Sequence, residues 1–320
     1  MNKIGIVFGM EESFPPAVVA KINDLNVDGV TAEAVRVGGV KMAHPSGYRV
    51  IIDRISQDIP FYRAFLKNAV LSGTMVVNNP FWWSADDKFF NYALASRIGV
   101  AVPRTAILPH KDHPPDTTDK SMRNLMYPLN WEEIFDYVGF PAFLKPFSGG
   151  GWKSVYKVHS PEEFFAAYNQ TGQLCMTLQE AIEFDEYFRC YAVGQEKVWV
   201  MRYEPRNPHH ERYVKNPPPI EPAMYERIVG DALKLCRALG YDLNTIEFAA
   251  RDGIPYAIDF LNPAPDAEYT SVGPENFAWI VQAVAEMAVK KALSDEQPFR
   301  EYRWSAFLEG AKSKGVGSGE

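Results

Sequence analysis

The sequence predicts an α/β fold, and three features carry that expectation. Between Lys3 and Val77, short apolar runs alternate with segments of helical period, the pattern of a parallel sheet covered on both faces. At 320 residues, the chain is about twice a typical domain, so two packed units are expected. A hydrophobic fraction of 47% against 23% charged suits a sizeable core.

Composition excludes several roles. Lys and Arg number 33 and Asp and Glu 40, for a net charge of −7, and no Lys/Arg-rich run occurs. A surface built to hold a nucleic-acid backbone is therefore not expected, although a local basic pocket for a small anion is. Three scattered cysteines, Cys175, Cys190 and Cys236, read as buried side chains of a reduced compartment. The N-terminus starts a strand where a signal peptide would need a longer apolar stretch. No apolar run approaches ~20 residues, so the expectation is a soluble, cytoplasmic protein with no membrane partner.

Lys3 to Gly9 reads as a buried parallel strand, followed by a helix from Phe14 to Leu25 with Pro15 and Pro16 in its first turn. Thr31 to Val37, Tyr48 to Ile52 and Thr74 to Val77 are further strands, and Pro60 to Leu71 is a helix closed by Gly73. The fingerprint G-x-G-x-x-G is missing after the first strand, and Glu11-Glu12 would repel a pyrophosphate there, against a dinucleotide dehydrogenase. Ser84 is the expected N-cap of a helix from Ala85 to Arg97, and Arg104 to Leu108 returns as a strand. Pro109 to Asn130 is polar and proline-bearing, a linker or surface loop. Next come a helix (Trp131 to Val138), a strand (Pro141 to Leu144), a glycine-rich loop (Phe147 to Lys153), a strand (Val155 to Val158) and a helix (Pro161 to Tyr168). Strands follow at Leu174 to Glu180, Phe188 to Val193 and Val198 to Tyr203. Helices are expected at Glu221 to Leu239, stopped by Gly240, and at Trp279 to Leu293. Residues 298–320 form a tail whose Gly/Ser-rich end is expected to be disordered.

Two segments carry chemistry. In FLKPFSGGGWKSVYKV, three glycines in a hairpin turn expose backbone N–H groups, and Lys145 and Lys153 flank them with positive charge. In NTIEFAARDGIPYAIDFLNP, a three-residue connection at Asp252-Gly253-Ile254 would set Glu247 opposite Asp259, with Phe248, Tyr256 and Ile258 facing the core. Opposed carboxylates destabilise a hairpin unless a cation lies between them. With Asn262 adding a neutral oxygen, the set suits Mg²⁺ better than zinc. The histidines, and Trp82-Trp83, read as surface or core residues, and no G-x-S-x-G elbow supports a serine hydrolase.

Four blocks in order resemble the ATP-grasp superfamily of carboxylate–amine ligases, over about residues 1 to 293: Val77 to Thr105, the glycine-rich hairpin, LQEAIEFDEYFRCYAVG and DGIPYAIDFLNP. Within it, VIIDRISQDIPFYRAFL looks most like the ligases that add glutamate to protein or peptide ends. The resemblance implies a Rossmann-like N-terminal parallel-sheet domain followed by a two-lobed, α+β ATP-grasp domain. The implied division is 1–108 with a linker helix, a lid lobe 109–203, a metal-binding lobe 204–297 and the tail. It also implies that Lys88, Lys145, Ser148, Gly149, Gly150 and Gly151 hold ATP phosphates, with Lys153 added from its position. Glu180, Ala181 and Ile182 would line adenine, and Glu186 the ribose with Asp185 as competitor. Arg189 and Arg202 would act in catalysis, and Glu247, Asp259 and Asn262 would bind metal. Arg54, Lys215 and Asn216 would meet substrate. Two departures stand out: Asp259 and Asn262 are separated by two residues rather than one, and Thr245 stands where many relatives have an arginine.

The implied activity is ATP- and Mg²⁺-dependent joining of a carboxylate, small-molecule or peptide, to an amine through an acyl phosphate, releasing ADP. Mn²⁺ is the alternative metal, and a homodimer is left open. The competing expectations are an ATP-grasp kinase that makes no amide, and a nucleotide-binding module without turnover.

Overall fold

Four parallel strands open the chain in a computed structural model, which describes residues 2–81, 88–126, 128–149 and 153–295. The chain divides into two compact units, Met1–Ser84 with Asp185–Glu320, and Ala85–Phe184. Among the described residues, no helix is long and apolar enough to cross a membrane.

In the first unit, β1 (Asn2–Val7), β2 (Val30–Ala34), β3 (Val50–Asp53) and β4 (Met75–Val77) form a sheet of order β2-β1-β3-β4. Alternation decides what each face meets. Ile4, Ile6, Val50 and Ile52 pack with α1 (Phe14–Asp24) and α8 (Pro274–Leu293), whereas Val7, Ile51 and Val76 pack with α2 (Pro60–Leu71). Gly5 is required by crowding, because a Cβ there would stand 2.4 Å from Val35 Cγ2 and 2.9 Å from Tyr48 Cδ1. The last helix starts at Pro274, five residues before its expected start, after a single turn α7 (Tyr269–Val272). Gly273 and Pro274 are its N-cap and first turn.

A second sheet of this unit, order β10-β9-β11-β12, joins β9 (Glu186–Val193), β10 (Lys197–Arg202), β11 (Leu243–Arg251) and β12 (Ile254–Asp259), all antiparallel. On one face Phe188, Cys190, Ile246 and Phe248 are fully buried, and α6 (Pro222–Leu239) packs on this sheet. On the other, Tyr191, Val193, Met201 and Leu243 join the core built on α8.

The β11–β12 hairpin departs from expectation in a telling way. Its turn has two residues, Asp252 and Gly253, both at positive φ (53° and 71°), closed by Arg251 opposite Ile254. An irregularity between Phe248 and Glu247 then shifts the register by one and returns Glu247 to a position opposite Asp259. The carboxylate pairing stands, but the core face does not. Ala257 opposes Phe248 and is buried, while Tyr256 and Ile258 are only half-buried, because a one-residue change of register exchanges the faces.

Buried Asn78 ties this unit together. Its Nδ2 donates to the carbonyls of Leu243 (2.7 Å) and Pro263 (3.1 Å), and its Oδ1 accepts from the N–H groups of Asp242 (2.7 Å) and Leu243 (2.9 Å). Asn78→Ala strands these backbone groups and is expected to lower unfolding free energy by about 3 kcal/mol, measured by urea titration.

The second unit contains α3 (Lys88–Arg97), β5 (Thr105–Leu108), α4 (Trp131–Val138), β6 (Ala142–Pro146), β7 (Tyr156–Val158), α5 (Pro161–Tyr168) and β8 (Met176–Glu180). Its antiparallel sheet has the order β5-β8-β6-β7 and encloses Leu144, Val158, Phe164 and Leu178, with Trp131 and Phe135 packed against them. Strand β5, on the N-terminal side of the 108/109 boundary, thus hydrogen-bonds to β8. Likewise β9 and β10, before the 203/204 boundary, share a sheet with β11 and β12. Between residues 109 and 130 the described chain holds a 3-10 turn, Asp119–Met122, capped by Thr118.

Candidate functional site

Each unit holds one group of candidate residues. In Ala85–Phe184, β6 delivers Lys145 just before Pro146 ends the strand. Lys145 Nζ donates to Tyr92 Oη (3.0 Å) and Gln179 Oε1 (2.7 Å) and lies 5.1 Å from the centre of the Tyr92 ring. Gln179 is itself oriented by donating to Thr105 Oγ1 at 2.8 Å. The Lys88 backbone N–H, at the start of α3, donates to the Phe147 carbonyl at 2.9 Å. Lys88 and the loop leaving β6 are therefore brought together, although more than fifty residues separate them. Ser148 and Gly149 are exposed, with Gly149 at φ 85°, and Lys153 is also exposed. Gly150 and Gly151 lie outside the described residues, as do Trp82-Trp83, the Ser84 cap, Ala85 to Asp87 and the tail from 298.

Glu180 ends β8 and pairs with Arg104 Nε at 3.1 Å. The Glu180 N–H is taken by the Arg104 carbonyl at 2.9 Å and the Ala181 N–H by the Pro141 carbonyl at 3.0 Å, so neither of these two N–H groups is open to a base.

In the other unit, the face of the second sheet that begins as core on α8 turns polar toward its far end. Tyr187, Arg189 and Tyr191 alternate on β9, opposite Ala249, Glu247 and Thr245 of β11. Arg189 Nη1 lies 3.5 Å from Glu247 Oε1, and Tyr187 donates to Glu247 Oε2 at 2.6 Å. Burial raises the Glu247 carboxyl above its ordinary value; Arg189 opposes the rise, and the charge of Asp259 adds to it. The cation that the opposed carboxylates need is thus supplied in part by the neighbouring strand. Among the described residues, no three His, Cys, Asp or Glu side chains converge as a metal cluster. Two carboxylates and an asparagine side-chain oxygen have the hard, all-oxygen chemistry that suits Mg²⁺. The Asn262 backbone is positioned by Asn244, whose Oδ1 accepts its N–H at 2.9 Å while Nδ2 holds the Phe260 carbonyl at 2.8 Å.

Arg202 does not join Arg189. It opposes Phe188 on β9, hence the other face. Its guanidinium pairs with Glu186 and donates to the carbonyls of Pro218 and Pro219, both at 3.0 Å. Arg202 therefore fixes the candidate ribose acid and the segment beyond it. Lys215 and Asn216 lie exposed close before these prolines.

Arg54 follows β3 directly and is 3% exposed. It pairs with Glu11, donates through Nη2 to the Pro265 carbonyl at 2.5 Å, and stacks 4.9 Å over Phe14. Asn244, Gln179, Tyr187 and Tyr213 have no motif that singles them out in sequence, whereas Asn78 stands at the head of the Val77 to Thr105 block. Strand parity on β9 was the one available signal, since it places Tyr187 and Tyr191 on the face of Arg189.

No family model matches the chain. Over 179 residues, 51% of the chain, it is 25% identical to mitochondrial pyruvate carboxylase of Homo sapiens, and it spans 15% of that protein's length. Solved structures match far more of it. VanG D-Ala:D-Ser ligase from Enterococcus faecalis gives a TM-score of 0.64 at 15% identity, covering 91% of this chain and 99% of that one. The ATP-grasp ligase PsnB, complexed with minimal precursor, Mg and ADP, gives 0.60 at 14% identity, covering 90% and 98%. This chain has the fold of the ATP-grasp ligases.

Proposed function

We propose that the protein is an ATP- and Mg²⁺-dependent, ADP-forming ligase that joins a carboxylate to an amine. The observation that carries this is the register of Glu247 against Asp259 beside Arg189: two like charges set opposite one another, Glu247 half-buried and Asp259 exposed. Lys145, Lys88 and the loop from Phe147 support it as phosphate-binding groups, with Lys153 near the loop's far end. Glu180 and Ile182 serve the base and Glu186 the ribose, held by Arg202.

In the proposed reaction a substrate carboxylate oxygen attacks the γ-phosphorus, and ADP leaves. The amine then attacks the acyl carbon, phosphate leaves, and the amine proton passes to solvent. Mg²⁺, bound by Glu247, Asp259 and Asn262, would neutralise phosphate charge. Arg189 places a positive charge beside Glu247, and Lys145 offers one on its own unit; positioning and charge neutralisation are most of the task. A peptide substrate is consistent with PsnB, which was solved with a precursor.

ADP release screened across carboxylate and amine libraries tests the proposal. ADP should form only when a carboxylate is present, and amide should appear only with an added amine. One observation favours the kinase alternative: Thr245, where an arginine would steady an acyl phosphate, is a buried threonine. Stoichiometric ADP with a stable phosphorylated product and no need for amine would establish that alternative instead.

A further inference from the structure

A cluster of basic side chains lies in the first unit, on the connection between β2 and β3. The stretch from Val35 to Gly47 contains Arg36, Lys41 and His44 and no Asp or Glu, in a chain whose net charge is −7. All three line one cavity of about 320 Å³, together with Val35, Val37 and Phe65. Val35 and Val37 pack against the core that holds Phe65, so the cavity has an apolar side as well as a basic one. Among the described residues, none of the three basic side chains has an ion-pair or hydrogen-bond partner. The acid just before this stretch, Glu33, is already engaged by Lys3 at 2.8 Å and by the Tyr48 hydroxyl at 2.7 Å.

The backbone points the same way. The N–H groups of residues 36–42 donate to no acceptor among the described residues. Packing does not require glycine at Gly38 or Gly39: neither is at positive φ, and a Cβ on either would meet nothing within 4 Å. What glycine provides at such a place is close approach of a ligand to peptide N–H groups. The stretch is nevertheless anchored. Asn68 on α2 accepts from the Ala43 N–H at 2.8 Å and donates to the His44 carbonyl at 3.0 Å, and the Ser46 and Thr74 hydroxyls bond at 2.7 Å.

We propose that this cavity binds a small organic phosphate. Arg36, Lys41, His44 and the Gly38-Gly39 backbone meet its phosphoryl group, and Val35, Val37 and Phe65 meet its apolar body. Unpaired positive charge and open N–H groups around a cavity of small-molecule size make an anion site. The number of donors selects the anion. A carboxylate offers two oxygens and one charge, whereas a phosphate monoester offers three oxygens and close to two charges, a match for three basic side chains and the glycine backbone. The inference does not depend on the ligase reading, since it concerns other residues and gives the parallel sheet a ligand of its own.

The test uses the full chain without nucleotide, titrated with phenyl phosphate, inorganic phosphate and sodium benzoate at matched ionic strength. Thermal unfolding reports binding, because a ligand of the native state raises Tm by mass action. Phenyl phosphate should give a saturable rise and bind at least about tenfold more tightly than inorganic phosphate, through burial of its ring. Benzoate should give no rise. Arg36→Gln and Lys41→Gln alter exposed, unpaired side chains, so Tm without ligand should not change. Each should weaken phenyl phosphate binding at least about tenfold, roughly the loss of one hydrogen bond to a charged group. Lys145→Met, in the other unit, should leave that binding unchanged and so shows that the probe does not sit among the candidate ATP-phosphate groups. The proposal is overturned by the absence of a saturable shift, by affinity unchanged in both loop variants, by loss of binding in Lys145→Met, or by benzoate or inorganic phosphate binding as well as phenyl phosphate. ATP affinity, measured separately on the same proteins, tests the ligase reading: its absence would remove that reading and leave the phosphate titration standing.

Discussion

Glu247→Gln and Asp259→Asn are each expected to lower ADP release at least about a hundredfold while leaving the protein folded. Both residues sit at one register position, and both are needed if phosphate charge is to be neutralised there. The stability side follows from the Glu247 carboxyl, raised above its ordinary value of 4.5 chiefly by burial. A carboxyl raised by folding binds its proton more tightly in the folded state. Its favourable contribution is complete below the unfolded value and is lost as pH rises through the folded one. At pH 7 the charged form therefore works against the fold, and the neutral glutamine keeps the Tyr187 hydrogen bond.

The opposing effect is loss of the Arg189 pair. At 3.5 Å that contact is longer than the ~2.7–2.9 Å of a strong charge-assisted hydrogen bond, so its loss should not dominate. Glu247→Gln should match or exceed the parent Tm at pH 7 without metal, and the gap should close as pH falls toward 4.5. Melting curves across that range, with ADP release in Mg²⁺, measure both sides. Lower stability with near-normal ADP release would make Glu247 a structural partner of Arg189 and end the metal assignment.

The legibility of this site in the sequence differs by residue for physical reasons. The Glu247–Asp259 pairing could be read because a hairpin turn makes register a matter of counting, yet the count reached it by the wrong route. A two-residue turn followed by a register shift arrives at the same pair as a three-residue turn without one, and only the burial of Ala257 against the half-exposure of Tyr256 tells them apart. Lys145 was legible from its place before a proline and a glycine run. Its setting by Tyr92 and Gln179 was not, since those contacts span 53 and 34 residues. Arg202 could have been separated from Arg189 by parity, given the antiparallel hairpin, but its grip on Pro218 and Pro219 depends on a loop that no periodicity describes. Asn244 was beyond reach, because a buried asparagine that serves backbone groups in other strands looks the same in sequence as one in a turn.

Lys145→Met is expected to weaken ATP binding about tenfold to a hundredfold, with little change in stability. The lysine nitrogen is held by two neutral acceptors, Tyr92 Oη and Gln179 Oε1, and the Tyr92 ring beside it favours a cation. That arrangement orients the ammonium group at the end of β6. A lost hydrogen bond to a charged group is worth roughly 1.5–3 kcal/mol, and each 1.4 kcal/mol is about tenfold in affinity. Methionine fills much the same space, so the packing of β6 against β8 should survive and the folding cost should stay near about 1 kcal/mol. Because the interaction is between charges, the difference between parent and variant should shrink as salt rises. Calorimetric titration with ATP and Mg²⁺ at two salt concentrations measures both effects. Unchanged affinity at low salt would show that Lys145 meets no phosphate, and the loop that follows it would then lose its part in the proposed reaction.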